Sequence, residues 1–230
     1  MVVAVTGISG GIGRALRSEL ERGGWAVVGF SRHPGVGEYP LALESPEPAF
    51  HEVFLQARQQ AGPFDAAVFL AGADILTPPL REAPYLERLQ ALWRVDVEGT
   101  VKCVRAIRPH LVEPARIVTT GWDQSSLGMG GEAGELYALA KNAVTAYSKS
   151  VARSWAGSVS VAVVAPGWVR TRWADRLSAT GRERIAKKTL ARVWQTPEEV
   201  ARTIGWMLAA PPHVVTGQVI YVNRGDVMPG

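Results

Sequence analysis

The chain has one cysteine, Cys103, so an internal disulfide is excluded. Set among helical residues, a lone thiol reads as a small packing group rather than a nucleophile. No apolar run approaches the roughly 18 residues that a membrane span needs, so no membrane-spanning helix is expected. Met1 runs through Val2-Val3-Ala4-Val5 directly into a glycine loop, so no cleaved leader is expected. A cytoplasmic protein with no membrane partner and no metal is expected. No Ser/Gly/Pro-rich linker and no internal repeat interrupts the 230 residues, a length that fits one α/β domain. With 47% apolar residues the chain can bury a sizeable core.

Acidic charge is scarce in one stretch. From Arg170 to Arg192 eight basic residues accompany only Asp175 and Glu183, a local +6 in a chain of formal net charge +4. Such a segment fits nucleic acid, an anionic substrate or an ordinary solvated face. No aromatic stacking pattern or helix-turn-helix signal accompanies it, so no nucleic-acid partner is expected. The other two readings stay open.

Apolar runs at Val2–Thr6, Ala26–Phe30, Ala66–Leu70, Ile117–Thr120, Val159–Ala165 and Gln218–Val222 read as strands, with a short one near Leu41–Leu43. Most are continuous rather than alternating, as strands buried on both faces should be. Helical patterns lie between them. Ile12, Ala15, Leu16 and Leu20 form one stripe, stopped by Gly23-Gly24, and Tyr85–Ile107, Leu136–Trp155 and Pro197–Leu208 are three more. Thr196-Pro197-Glu198-Glu199 supplies an N-cap, a first-turn proline and acids at the positive helix end. The short, Pro/Gly-rich His33–Ala49 predicts a crossover trimmed to a loop or single turn. The expected fold is α/β: one doubly wound domain over residues 1–230, with a parallel sheet of about seven strands covered by helices on both faces.

Gly7, Gly11 and Gly13 follow the first strand and open the first helix, the context of a pyrophosphate-binding loop. Gly7 permits the tight turn, Gly11 keeps side chains away from the phosphates, and Gly13 lets helix and strand approach. The second strand ends Phe30-Ser31-Arg32. A ribose 2′-hydroxyl would call for an acid there, whereas Ser31 and Arg32 suit a 2′-phosphate, so NADP(H) is favoured and NAD(H) is the alternative.

Tyr137 and Lys141 stand four residues apart and share a helix face. A free tyrosine, with a pKa of about 10, is a poor acid or base at neutral pH. An ammonium about 4 Å away, at an effective dielectric of about 20, favours phenolate by roughly 4 kcal/mol before desolvation opposes it. The spacing therefore predicts a phenol brought near working pH for proton transfer.

The whole chain resembles the short-chain dehydrogenase/reductase family. The resemblance rests on five motifs in order: Thr6-Gly7-Ile8-Ser9-Gly10-Gly11-Ile12-Gly13; Phe69-Leu70-Ala71-Gly72 after an apolar strand; Tyr137 with Lys141; Pro166-Gly167-Trp168-Val169-Arg170-Thr171; and Thr216-Gly217-Gln218. It implies cofactor contacts from Gly7, Ile8, Ser9, Gly11, Ile12, Gly13, Ala71, Gly72, Tyr137 and Lys141. Pro166, Gly167, Val169 and Thr171 would lie against the nicotinamide carboxamide. It further implies proton transfer by Tyr137, a lysine that lowers its pKa and holds the nicotinamide ribose, a mobile lid around 170–195, and a homodimer or homotetramer.

Three departures stand out. The family's carbonyl-positioning serine has no counterpart at the matching position, where the strand-end alignment gives Trp122 and counting back from the tyrosine gives Gln124. Ser125 and Ser126 are the nearest candidates, with Asp123 and Gln124 as polar substitutes. Asp96 stands where the family has an asparagine that keeps a water near the lysine, and as a carboxylate it should interact with Lys141 more strongly. Phe69-Leu70 and Asn223-Arg224-Gly225 replace the usual Asn-Asn and Asp-Gly-Gly. Trp122, Trp168 and Trp173 fit either a pocket wall or the core. The leading reading is an NADP(H)-dependent oxidoreductase acting on a small carbonyl or secondary alcohol. The alternative is a nucleotide-binding sensor or scaffold of the same fold.

Overall fold

The computed structural model describes residues 1–187 and 189–227, apart from the side chains of Arg172, Trp173 and His213. The expectations for Trp173 and for Lys188 of the basic segment lie outside the described residues.

Seven strands form one parallel sheet in the order β3-β2-β1-β4-β5-β6-β7. They are β1 (Val2–Thr6), β2 (Ala26–Ser31), β3 (Glu38–Pro40), β4 (Phe64–Phe69), β5 (Leu111–Thr120), β6 (Val159–Pro166) and β7 (Val219–Val222). The strand order reverses between β1 and β4, the place where doubly wound sheets open a crevice for ligands. Helices α1 (Gly11–Arg22) and α8 (Pro197–Ala209) cover one face. Leu16, Leu20, Ile204 and Met207 pack there on Val3, Val5, Val68 and Val164. Helices α2 (Glu47–Ala61), α4 (Gly99–Ile107) and α5 (Glu132–Ser154) cover the other, where Phe50, Phe54, Val104 and Val151 meet Ala4, Phe30, Ile117 and Val161. β1 thus sends Val3 and Val5 to one layer and Ala4 to the other, as the period of two requires. All eight residues of β6 are buried, which explains its unbroken apolar run.

The third strand is displaced from the expectation. Glu38–Pro40 pairs with Gly29–Ser31 at the sheet edge, and Pro40, with no amide hydrogen, ends the ladder. Leu41 and Leu43 leave the sheet and bury themselves in the core instead. No helix forms between β2 and β3 among the described residues, as the short crossover predicted. Helix α2, with Phe50, Val53, Phe54 and Ala57 buried at helical spacing, was not recognised in the sequence. Tyr85–Ile107 is not one regular helix. It divides into α3 (Tyr85–Leu92), a π-helical turn at Trp93–Glu98 and α4. Such wide turns re-aim side chains inside a helix. Here Asp96 and Val97 are turned inward. Two short helices, α6 (Arg172–Asp175) and α7 (Ala179–Ala186), precede α8, and α9 (Pro212–Val215) precedes β7.

Cys103 is buried in α4, and desolvation pushes its thiol pKa up, which keeps it inert. No helix among the described residues is long and apolar enough to cross a membrane. No group of three or more His, Cys, Asp or Glu among them is arranged to hold a metal ion.

Candidate active site

The carboxyl ends of β1, β4, β5 and β6 all meet one edge of the sheet, and a cleft of about 410 Å³ opens there. Its floor is the loop between β1 and α1. Gly7 has φ +73°, and a Cβ at this position would lie 2.7 Å from the Ala71 nitrogen, so only glycine fits. A Cβ on Gly13 would lie 2.7 Å from the Ile8 Cα, so its absence lets α1 sit against the loop. Gly11 and Ile12 line the cleft, opposite Gly72, Pro166, Gly167, Val169 and Thr171. Ile8 is buried beneath the loop, and the Ser9 carbonyl accepts a hydrogen bond from Arg14. Ala71 is the backbone on which Gly7 rests. The cradle at the amino end of α1, kept open by its glycines, is shaped to take a dinucleotide's phosphates.

Tyr137 and Lys141 come from α5 and both line the cleft. The Lys141 ammonium lies 5.5 Å from the centre of the Tyr137 ring. Its nearer partner is Asp96, whose Oδ2 is 2.8 Å from Nζ, with both side chains buried. Asp96 Oδ1 also accepts the Ala73 amide at 2.7 Å, and Lys141 Nζ donates to the Thr120 carbonyl at 3.2 Å. The carboxylate therefore contacts the ammonium directly. Burial alone would lower the Lys141 pKa, but the Asp96 charge and the Tyr137 phenol outweigh it, and the ammonium is held above the ordinary lysine value.

The phenol corrects the sequence expectation. Burial pushes the Tyr137 pKa above its ordinary value; Lys141 opposes the rise, while Asp96 and Asp74 add to it. The ammonium alone would favour phenolate; burial, the larger effect, and the Asp96 carboxylate beside it reverse the direction.

Neither serine candidate reaches the site. β5 ends at Thr120, and Trp122 turns its ring edge-on to Tyr137. The chain then makes tight turns, with Ser125 N donating to the Trp122 carbonyl and Gly128 N to the Gln124 carbonyl. Asn142 of α5 holds the Ser125 carbonyl. Ser125 is thereby buried away from the cleft and Ser126 exposed, and neither is among the lining residues. Asp123 points beneath the Pro166-Gly167 turn, where Asn223 donates to its Oδ2 at 3.2 Å. Trp122 and Trp168 do line the cleft, together with Ile75, Leu76, Met129 and Ala133. Those last four carry no sequence signal, since they sit in loops or at the start of α5, where no periodicity marks them.

At the far end of β2, Ser31 is buried and Arg32 exposed. Glu38, which the sequence reading passed over, stands beside them. Its carboxylate takes the Arg17 guanidinium at 2.6 Å, the Gly35 amide at 3.0 Å and the Ser31 hydroxyl at 3.5 Å. In the basic segment, Arg170 pairs with Asp175 and Lys187 with Glu183, both exposed and of small energetic weight.

A phosphate cradle, a buried ion pair and a phenol at the carboxyl edge of a doubly wound sheet define a nucleotide-dependent oxidoreductase. The family model described as enoyl-(acyl carrier protein) reductase matches residues 45–226. Among curated proteins, the chain is 28% identical to 3-oxoacyl-(acyl-carrier-protein) reductase FabG of Escherichia coli over 243 residues, covering 99% of this chain and 97% of that protein. It is 29% identical to carbonyl reductase family member 4 of Xenopus laevis, covering 97% of each. Among solved structures, a short-chain dehydrogenase/reductase from Brucella melitensis superposes with TM-score 0.85 at 22% identity, covering 99% of this chain and 97% of that one. The aldohexose dehydrogenase of Thermoplasma acidophilum gives the same TM-score at 19% identity, covering 99% and 95%. The chain belongs to the short-chain dehydrogenase/reductase family of oxidoreductases.

Proposed function

We propose that this chain is an NADP(H)-dependent oxidoreductase that reduces a small carbonyl compound or oxidises the matching secondary alcohol, with Tyr137 as the acid and base. The observation that carries the proposal is the Tyr137 side chain in the wall of the cleft whose floor is the glycine cradle. Gly11, Gly13, Ile12 and the amides around Ser9 would hold the cofactor phosphates, Arg32 the 2′-phosphate, and Pro166, Gly167, Val169 and Thr171 the carboxamide. Support for NADP(H) comes from Ser31-Arg32 and from the similar fold of ElxO, whose structure carries NADP, at 20% identity and TM-score 0.85.

When bound, the reduced cofactor supplies a hydride to the carbonyl carbon. The protein's own part is the proton. As the carbon–oxygen π bond opens, the Tyr137 O–H breaks, its proton joins the carbonyl oxygen, and an alcohol leaves. The phenolate left behind faces Lys141, which stabilises it until a solvent proton restores the hydroxyl. Trp122, Trp168, Met129 and Leu76 give the cleft an apolar wall, which favours apolar substituents on the carbonyl.

We read 170–195 as the lid and the chain as one domain. The lid reading is supported by Arg176, whose guanidinium bonds the hydroxyl of Thr77, next to the cleft-lining Leu76, at 3.0 Å, and by the Trp168–Trp194 ring pair at 6.1 Å. A homo-oligomer is supported by Leu86, Trp93 and Leu139, which stand exposed on the α3–α5 side. Nicotinamide fluorescence titration followed by a panel of ketones tests the function. NADPH binding with turnover of at least one ketone is expected, and a protein that binds neither NADPH nor NADH contradicts it.

A further inference from the structure

The pair that distinguishes this site is Asp96 with Lys141, and what it does to the proton on Tyr137 follows from geometry. The two opposite charges are 2.8 Å apart and both are buried. By contrast, no hydrogen bond joins Lys141 to the Tyr137 hydroxyl among the described residues; the ammonium lies 5.5 Å from the ring centre. A charge already matched by a closer counter-charge projects only a dipole onto its neighbours, and a dipole's field falls off faster than a charge's. Two carboxylates face the phenol from elements other than its own helix: Asp96 from the π-helical turn and Asp74 from the loop after β4. The facing groups therefore carry one positive and two negative charges.

The π-helical turn is what delivers Asp96. A regular helix from Tyr85 to Ile107 would carry residue 96 round to a different azimuth, whereas the wide turn at Trp93–Glu98 turns its side chain inward, where the Ala73 amide fixes Oδ1 and leaves Oδ2 for Lys141. The carboxylate is thus held by a backbone donor from another loop as well as by the ammonium.

We propose that Asp96 is a positioning residue that neutralises Lys141 inside the protein, so that the cofactor-free enzyme keeps Tyr137 protonated through the neutral and mildly alkaline range and meets a carbonyl substrate with its acid already loaded. The inference rests on the function proposed above. It gives the pH dependence of both directions. Reduction consumes the phenol proton and runs at a pH-independent rate across the neutral range. Alcohol oxidation requires phenolate, so its kcat/KM climbs with pH, about tenfold per unit, until the phenol titrates. Burial is the main cause of the raised Tyr137 pKa, and the Asp96 charge adds to it.

The test is a direct titration of the phenol. Tyrosinate absorbance is recorded on pH jumps of the cofactor-free protein, with Tyr137→Phe as the blank, so that the difference reports Tyr137 alone. In the unmutated protein the midpoint is expected above the free-tyrosine value of about 10, and a midpoint below that value overturns the proposal without any further variant. Asp96→Asn keeps the acceptor for Ala73 and removes the charge. It is expected to lower the midpoint by about one unit or more, and to carry the rising limb of the oxidation profile down with it. An unchanged or raised midpoint in a folded Asp96→Asn protein overturns the proposal. Asp74→Asn, at an exposed position where solvent screens the charge, should move the midpoint the same way by less. If the proposed function itself is wrong, the unmutated protein binds no nicotinamide cofactor or turns over no ketone, while the absorbance midpoint still answers for Asp96, so the two failures are separate.

Discussion

The rings of Trp122 and Tyr137 meet edge-on, with centroids 5.4 Å apart and planes at 84°. Edge-to-face pairs contribute about 0.5–1.5 kcal/mol beyond the area they bury. Trp122 thereby holds the phenol on one side while forming the apolar wall of the cleft. Trp122→Ala should raise KM for apolar ketones by about tenfold, a change of roughly 1.4 kcal/mol, and leave NADPH affinity unchanged. Steady-state kinetics with an apolar and a polar ketone measure this. An equal change in KM for both would mean that the ring supports the fold rather than the substrate.

On the proposed function, cofactor choice is set at the end of β2. Arg32 offers a guanidinium to a 2′-phosphate, while Glu38 already holds Arg17 at 2.6 Å and lies beside Ser31. Arg32→Ala should remove about 1.5–3 kcal/mol from the preference for NADPH over NADH, the usual worth of a charge-assisted contact. Glu38→Gln should act oppositely, strengthening NADPH binding by removing a like charge. Equal affinities for the two cofactors in the unmutated protein would contradict the assignment of Arg32.

Asp123 carries a stability cost that depends on pH. Desolvation is the main reason its pKa stands at about 6, partly offset by the Asn223 hydrogen bond. Unfolding returns the group to an ordinary carboxylate, so between about pH 4 and 6 the folded state binds the extra proton, and the group's contribution to stability falls as pH rises through that window. Asp123→Asn should therefore match the unmutated protein near pH 4 and exceed it by about 1–3 kcal/mol at pH 8. Urea unfolding at several pH values checks this. A variant that is less stable at pH 8 would show that the buried carboxylate is needed ionised.

Most of the sheet was legible because its strands are continuous apolar runs between helices of regular period, as in Val159–Pro166. The glycine loop and the Tyr137–Lys141 spacing were legible because each states a local geometry directly. What remained hidden depended on tertiary contact. Helix α2 carries charged and aromatic residues around a narrow stripe, and only the sheet shows which side is inward. The π-helical turn has no sequence mark, yet it brings Asp96 onto Lys141, where its charge adds to the upward shift that burial gives the phenol. Ser125 and Ser126 were near in sequence, but the turn beginning at Trp122 carries them off, a result of loop geometry that residue counting cannot supply. Glu38 was passed over because its partner Arg17 lies 21 positions earlier, on another element.

The central claim is that Tyr137 moves the proton, and the measurement closest to it compares Tyr137→Phe with the unmutated protein in two assays on the same preparation. Phenylalanine keeps the ring against Trp122 and removes only the hydroxyl. NADPH binding, read by nicotinamide fluorescence, should stay within about threefold, while kcat for a ketone that the unmutated enzyme reduces should fall about a hundredfold or more. Turnover by Tyr137→Phe at the unmutated rate would contradict the account.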